Sequence, residues 1–229
     1  MKFACGLLFA FVVMCAPEAV VAADHSAVKP VPRSGGWLKR HESFNARVAK
    51  GNADLLMIGD SITHGWEGSG KKVWQEYYGK RNAVNLGIGG DRTQHVLWRL
   101  ENGNIKNITP KLAVIMIGTN NARSNSAEEI YDGVAAIVAK LRKELPEMKI
   151  LVLAIFPRGA NDDNKLRQNN MAANKMIVKL GDNKMVHIMN INAAFLAKDE
   201  KRTYLSTGLT VAGAGAVVRS WSASGSRGC

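Results

Sequence analysis

The stretch Asp54-Leu55-Leu56-Met57-Ile58-Gly59-Asp60-Ser61-Ile62-Thr63-His64-Gly65 decides the fold. It opens as a short apolar run with the length and flanks of a strand buried on both faces of a parallel sheet. The pattern breaks at Gly59-Asp60-Ser61, where a helix can start. Open α/β sheets bind their ligands at the carboxyl ends of strands, so Ser61 stands where a reacting group belongs. Its backbone N–H, with others at a helix start, would face an anion or a developing oxyanion. Gly, Asp and Ser also suit an ordinary strand-to-loop turn. The rest of the chain separates the two readings.

Outward from that strand, helical and strand patterns alternate. Residues 37–50 carry Trp37, Phe44 and Val48 at helical spacing among charges, which predicts an amphipathic first helix. Residues 73–78 read as a short helix and 83–86 as a second strand, which runs into Gly87-Ile88-Gly89-Gly90-Asp91. A helix over 93–101 turns Val96, Leu97 and Leu100 inward. The strongest strand signal is 112–117, ending at Gly118-Thr119-Asn120-Asn121. Ser126 with Glu129 forms a capping box for a helix that Pro146 stops. A fourth strand over 150–156, a helix over about 163–180 and a fifth strand over 185–191 complete the series. Strands alternating with helices predict a parallel sheet covered on both faces.

The first three strands each end in a small-polar turn: GDS, GIGGD and GTNN. Parallel strands bring their carboxyl ends to one sheet edge, so the three turns can meet. Ester hydrolysis needs a nucleophile and at least two donors aimed at the tetrahedral oxyanion. A serine hydroxyl, a glycine N–H with nothing to obstruct it and an asparagine amide supply that set. Singly, Gly89-Gly90 is a tight turn and Asn120 a loop cap; together, at successive strand ends, coincidence is a poor account.

These motifs, IGDSITHGW (58–66), NLGIGGDRTQHVLWRLENG (85–103), IGTNN (117–121) and FPRG (156–159), resemble the SGNH (GDSL) hydrolases. Within that family they look most like the catalytic subunits of platelet-activating factor acetylhydrolase. The likeness covers roughly residues 37–200, and the run from Gly90 to Gly103 is its most specific part. It implies a flavodoxin-like three-layer α/β/α sandwich with a parallel sheet of about five strands. It implies Ser61 as nucleophile, with an oxyanion hole made by the N–H groups of Ser61 and Gly90 and the side chain of Asn120. Gly89 in place of Gly90 is a matter of one residue of loop register. The implied reaction is hydrolysis of a small-molecule carboxylic ester with a short acyl group such as acetyl, without metal or cofactor. The resemblance also suggests a homodimer.

The chain then departs from the family pattern. The family completes its triad with an Asp-x-x-His block after the fifth strand, followed by a last helix. Here no histidine follows His187, and residues 201–229 form a basic tail rich in Gly, Ala and Ser. The expectation is an out-of-frame or substituted terminus, with the catalytic Asp and His and the last helix missing; an Asp-x-x-His in another reading frame past codon 200 would be its mark. Without a base Ser61 stays a neutral alcohol, so activity is expected to be impaired. His64 is expected to point along its helix, His95 to be structural and His187 to lie inside a strand, so none is expected to substitute.

The 229 residues suffice for one domain with a buried core, and the net charge is +12. A basic surface can favour acidic polysaccharide, anionic lipid or nucleic acid, but no arginine-rich run or RNA-binding aromatic motif is present, so no nucleic-acid partner is expected. Residues 1–23 read as a secretory signal with cleavage near Ala23, and the apolar run within them is too short for a membrane span. Residues 24–36, with Pro30, Pro32, Gly35 and Gly36, read as an extended leader. The expected destination is secreted or periplasmic. Cys5 and Cys15 fall within that signal and Cys229 is the last residue, which leaves no internal disulfide and no cysteine cluster for a metal. The five histidines have no ligand-like spacing. A nucleotide site at Gly87-x-Gly89-Gly90 is disfavoured, because the G-x-G-x-x-G spacing is absent and the turn follows the second strand. A non-enzymatic protein that binds an ester, acyl or carbohydrate ligand in the same cleft is the alternative from another class.

Overall fold

The computed structural model describes residues 24–196. Helix α1 (Gly36–Val48) leads into strand β1 (Leu55–Gly59), helix α2 (Ser61–His64) and helix α3 (Lys71–Tyr77). Strand β2 (Ala83–Gly87), helix α4 (Thr93–Glu101), strand β3 (Leu112–Met116) and helix α5 (Ala127–Glu144) follow. Strand β4 (Lys149–Leu153), helix α6 (Lys165–Ile177) and strand β5 (Val186–Met189) close the series.

All five strands pair in parallel, in the order β2-β1-β3-β4-β5. This is the order of the flavodoxin-like sandwich that the family resemblance implies, and it reverses between β1 and β3. Successive side chains along each strand point to opposite faces, so the sheet feeds two cores. On one face Leu56, Ile58, Leu86, Ile115 and Ile150 pack against α1, α4, α5 and α6. On the other, Leu55, Met57, Val114 and Leu151 pack against Trp66, Tyr78, Phe156 and Phe195. The expectation of a missing last helix falls on residues outside those described.

Local chemistry sets the element ends. Ser126 Oγ accepts from the Glu129 N–H at 3.2 Å while the Glu129 carboxylate accepts from the Ser126 N–H at 3.1 Å, the reciprocal capping box read from the sequence. Ser126→Ala is expected to cost about 1 kcal/mol, a fall of about 2–4 °C in a thermal melt. An unchanged Tm would show that α5 is held by packing alone. β4 ends three residues earlier than its apolar run predicts. The Asn174 side chain accepts from the Ile155 N–H and donates to its carbonyl, both at 2.8 Å, and so takes that residue out of the ladder.

The leader is extended apart from one turn at Ser26–Val28, but it is docked rather than free. Ala27 is fully buried, its carbonyl accepts from Thr93 Oγ1 at 2.7 Å, and the Val31 N–H donates to the Gln94 carbonyl. Ser26 Oγ accepts from Asn125 Nδ2 at 2.9 Å. The chain ahead of α1 is thus strapped across the start of α4 and the loop before α5.

Candidate active site

The turns after β1, β2 and β3 lie at one sheet edge, with Ser61 and Asn120 just past the two strands where the order reverses. Ser61 is the first residue of α2 and is exposed. Asp60 caps that helix by accepting the Ile62 N–H at 3.0 Å. Gly59 and Gly87 let the turn approach so closely. A Cβ on Gly59 would lie 2.5 Å from the Met116 carbonyl oxygen, and one on Gly87 would lie 2.4 Å from the His64 nitrogen. A Cβ on Gly89 would lie 4.0 Å from Ser61 Cβ and 3.9 Å from His64 Nδ1, so Ser61, Gly89 and His64 wall one space.

The second turn is held from several sides. Gly90 has φ +77°, the left-handed region that favours glycine, and its N–H has no hydrogen-bond partner among the described residues. The Asp91 N–H donates to the Ile88 carbonyl at 3.2 Å. Asn120 Nδ2 donates to the Asp91 carbonyl at 2.9 Å, which uses one amide hydrogen and leaves the other. The third turn has its own supports. Arg158 Nη1 donates to the Thr119 carbonyl at 2.7 Å, which gives the FPRG segment a place beside Asn120. Asn121 is fully buried and its Oδ1 accepts from the Thr93 N–H at 3.0 Å. Both turns therefore rest on α4.

Beneath the second turn lies a buried cluster that the sequence reading missed. Asp91 is fully buried; its Oδ1 accepts from Trp37 Nε1 at 2.6 Å and from Arg33 Nη1 at 3.3 Å, and its Oδ2 from Arg99 Nε at 3.0 Å. Arg99, also fully buried, extends the network through Nη1 to Asn104 Oδ1 at 2.8 Å. Burial pushes the Asp91 carboxyl up and the Arg99 guanidinium down, and each charge works against the other's shift. The one sequence signal was the eight-residue spacing of an acid and a base across the start of a helix.

The histidines take separate places. His95 Nδ1 accepts from the Arg92 N–H at 3.0 Å, and burial, then Arg33, Arg92 and Arg99, press its ring down to about 4. His64 forms no hydrogen bond with Ser61; burial and then Arg40 lower its pKa. His187 Nε2 lies 3.2 Å from the Lys184 carbonyl on the far strand of the sheet. Among the described residues no group of three or more His, Cys, Asp or Glu is placed to hold a metal ion, and no helix is long and apolar enough to cross a membrane. Asp199 and the tail lie outside the described residues.

Asp60 offers a pH test. Burial, and then the nearby Asp91 carboxylate, push its carboxyl up to about 7 against the opposing Ile62 N–H and Arg158; its Oδ2 has no hydrogen-bond partner among the described residues. Between its unfolded value near 4 and about 7 the folded state keeps a proton that the unfolded chain gives up, so this contribution to stability is present at low pH and lost as pH rises. His95 acts the other way: its folded value is depressed, so its contribution is present above about 6.5 and lost as pH falls towards 4. Asp60→Asn removes only the first effect. Its urea midpoint is expected to rise relative to the parent as pH goes from about 4 to about 7; parallel profiles would show that burial does not raise the Asp60 carboxyl.

The sequence profile of the GDSL-like lipase/acylhydrolase family matches residues 57–214, past Asp199, where the likeness read from the sequence stops. The chain is 37% identical over 179 residues to platelet-activating factor acetylhydrolase IB subunit alpha2 of Rattus norvegicus, covering 78% of this chain and 76% of that one. It is 36% identical over 182 residues to subunit alpha1 from the same organism, covering 78% and 75%. Among solved structures, a putative platelet activating factor from Streptococcus pneumonia superposes with a TM-score of 0.60 at 18% identity, covering 80% of this chain and 91% of that one. A carbohydrate acetylesterase from Sinorhizobium meliloti superposes with a TM-score of 0.59 at 16% identity, covering 75% and 99%. At those identities the structural likenesses speak for the fold alone.

Proposed function

Because the chain belongs to the GDSL-like lipase/acylhydrolase family, we propose that it hydrolyses carboxylic esters of short acyl groups, with Ser61 as nucleophile. The N–H groups of Ser61 and Gly90 and the Asn120 amide receive the oxyanion. The observation that carries this reading is the meeting of an exposed Ser61, an unpaired Gly90 N–H and a tethered Asn120 amide at one sheet edge. The likeness to platelet-activating factor acetylhydrolase subunits supports acetyl as the acyl group, on a carbohydrate or lipid alcohol. Turnover is reduced, because residues 188–229 hold no histidine to take the Ser61 proton.

The test is nitrophenyl acetate hydrolysis by the parent chain and by Ser61→Ala. Turnover lost with Ser61 supports the reading. The missing histidine also favours a second one, an inactive member that binds an acyl or carbohydrate ligand in this cleft; saturable binding without turnover would select it. Export through residues 1–23 and homodimerisation belong to the same proposal. Amino-terminal sequencing of the mature protein and its mass in solution test them.

A further inference from the structure

We propose that Arg33, carried by the docked leader, is a positioning residue for the oxyanion hole. It lies outside the residues matched by the family profile, and no step of the reaction above uses it. Its Nη1 donates to the Gly89 carbonyl at 2.9 Å and to Asp91 Oδ1 at 3.3 Å. A Cβ on Gly90 would sit 3.4 Å from the same nitrogen, so the guanidinium covers that residue.

The peptide plane turns this contact into function. No cis peptide occurs among the described residues, so the Gly89 carbonyl and the Gly90 N–H point in opposite directions. Holding the carbonyl on Arg33 turns the N–H away from the guanidinium, which leaves it for the space that Gly89 walls with Ser61. Two successive glycines have little conformational preference of their own, so the direction of this N–H must be imposed from outside. Asp91 fixes the far end of the turn through Ile88 and Asn120, and Arg33 fixes the peptide itself. The leader can hold Arg33 there because Ala27 and Val31 anchor it on Thr93 and Gln94.

The bland alternative is a surface ion pair, which contributes little. The Arg33 side chain is 38% exposed, and Asp91 keeps Arg99 and Trp37 without it. Removing Arg33 should therefore leave folding intact while loosening one donor, and that split makes the idea testable. The inference rests on the esterase reading, so the experiment follows Ser61 directly. The full chain, Arg33→Ala and Arg33→Lys are treated with a fluorophosphonate, and the modified residue is located by mass spectrometry.

The expected result is labelling at Ser61, with the maximal rate for Arg33→Ala slowed by about 10–10²-fold. The half-saturating concentration and the Tm should stay unchanged. Lysine keeps the charge but not the planar fork, so it should recover only part of the rate. Equal rates in parent and Arg33→Ala would overturn the inference and leave Ser61 as nucleophile. Full recovery by lysine would overturn it too, as charge alone would then suffice, and so would a rate loss matched by a fall in Tm. A parent chain that takes no label at Ser61 would overturn the esterase reading and this inference with it.

Discussion

Asn120→Ala is expected to lower kcat for nitrophenyl acetate by about 10²–10³-fold with KM little changed. On the proposal that no histidine serves Ser61, the parent itself should run about 10⁴–10⁶-fold below an enzyme with a complete triad. The oxyanion hole works independently of the base, so its donors still count in a weakened enzyme. Asn120 is well prepared for that task. One amide hydrogen is committed to the Asp91 carbonyl at 2.9 Å, which fixes the plane of the group and directs the other. The neighbouring Thr119 carbonyl is fixed on Arg158. A donor held this way has no reorganisation to complete as charge develops. Initial rates for the parent, Asn120→Ala and His64→Ala in one buffer decide the matter. An unchanged kcat in Asn120→Ala would remove that residue from the hole. A large loss in His64→Ala would mean that the ring sharing a wall with Ser61 serves as the base.

Most of the fold was legible because its signals were local. The helix read over 93–101 is α4 residue for residue, since the stripe of Val96, Leu97 and Leu100 sets its period. The capping box at Ser126 and Glu129 works the same way. The convergence of the GDS, GGD and GTNN turns followed from strand direction alone. What escaped notice depends on partners distant in sequence. β4 is shortened by Asn174, whose amide replaces the ladder at Ile155. Arg99 sits beside an inward stripe and, by periodicity, an arginine belongs in solvent; only Asp91 below it makes burial tolerable. Trp37 was legible as an apolar helix position but not as a donor to that carboxylate. Arg33 was invisible for a similar reason. Its stretch has the composition of a free leader, and nothing in residues 24–36 says that Thr93 and Gln94 will anchor it.

Asp91→Asn should produce the largest loss of stability, about 3–5 kcal/mol, or about 10 °C or more in Tm. The two side chains have nearly the same shape, so packing is preserved and the effect isolates charge. An asparagine oxygen can still accept from Trp37 Nε1, but Arg99 would be left as a fully buried cation without a counter-charge. Desolvating an ion costs several kcal/mol, and that cost is tolerable only with a partner close by; here Arg99 Nε and Nη2 both lie 3.0 Å from Asp91 Oδ2. Adding Arg99→Met should return part of the loss, since it removes the buried cation that the first substitution leaves without a counter-charge. The recovery stays partial because Asn104 Oδ1 then lacks the donor that reaches it at 2.8 Å. Urea titrations of the parent, the single variant and the pair measure both steps. A loss below about 1 kcal/mol in Asp91→Asn would mean that water or rearrangement relieves Arg99. The outcome bears on the chemistry as well, because the backbone of this residue orients the Asn120 amide and its carboxylate receives Arg33. The ion pair that fixes the start of α4 is also the floor on which the oxyanion loop stands.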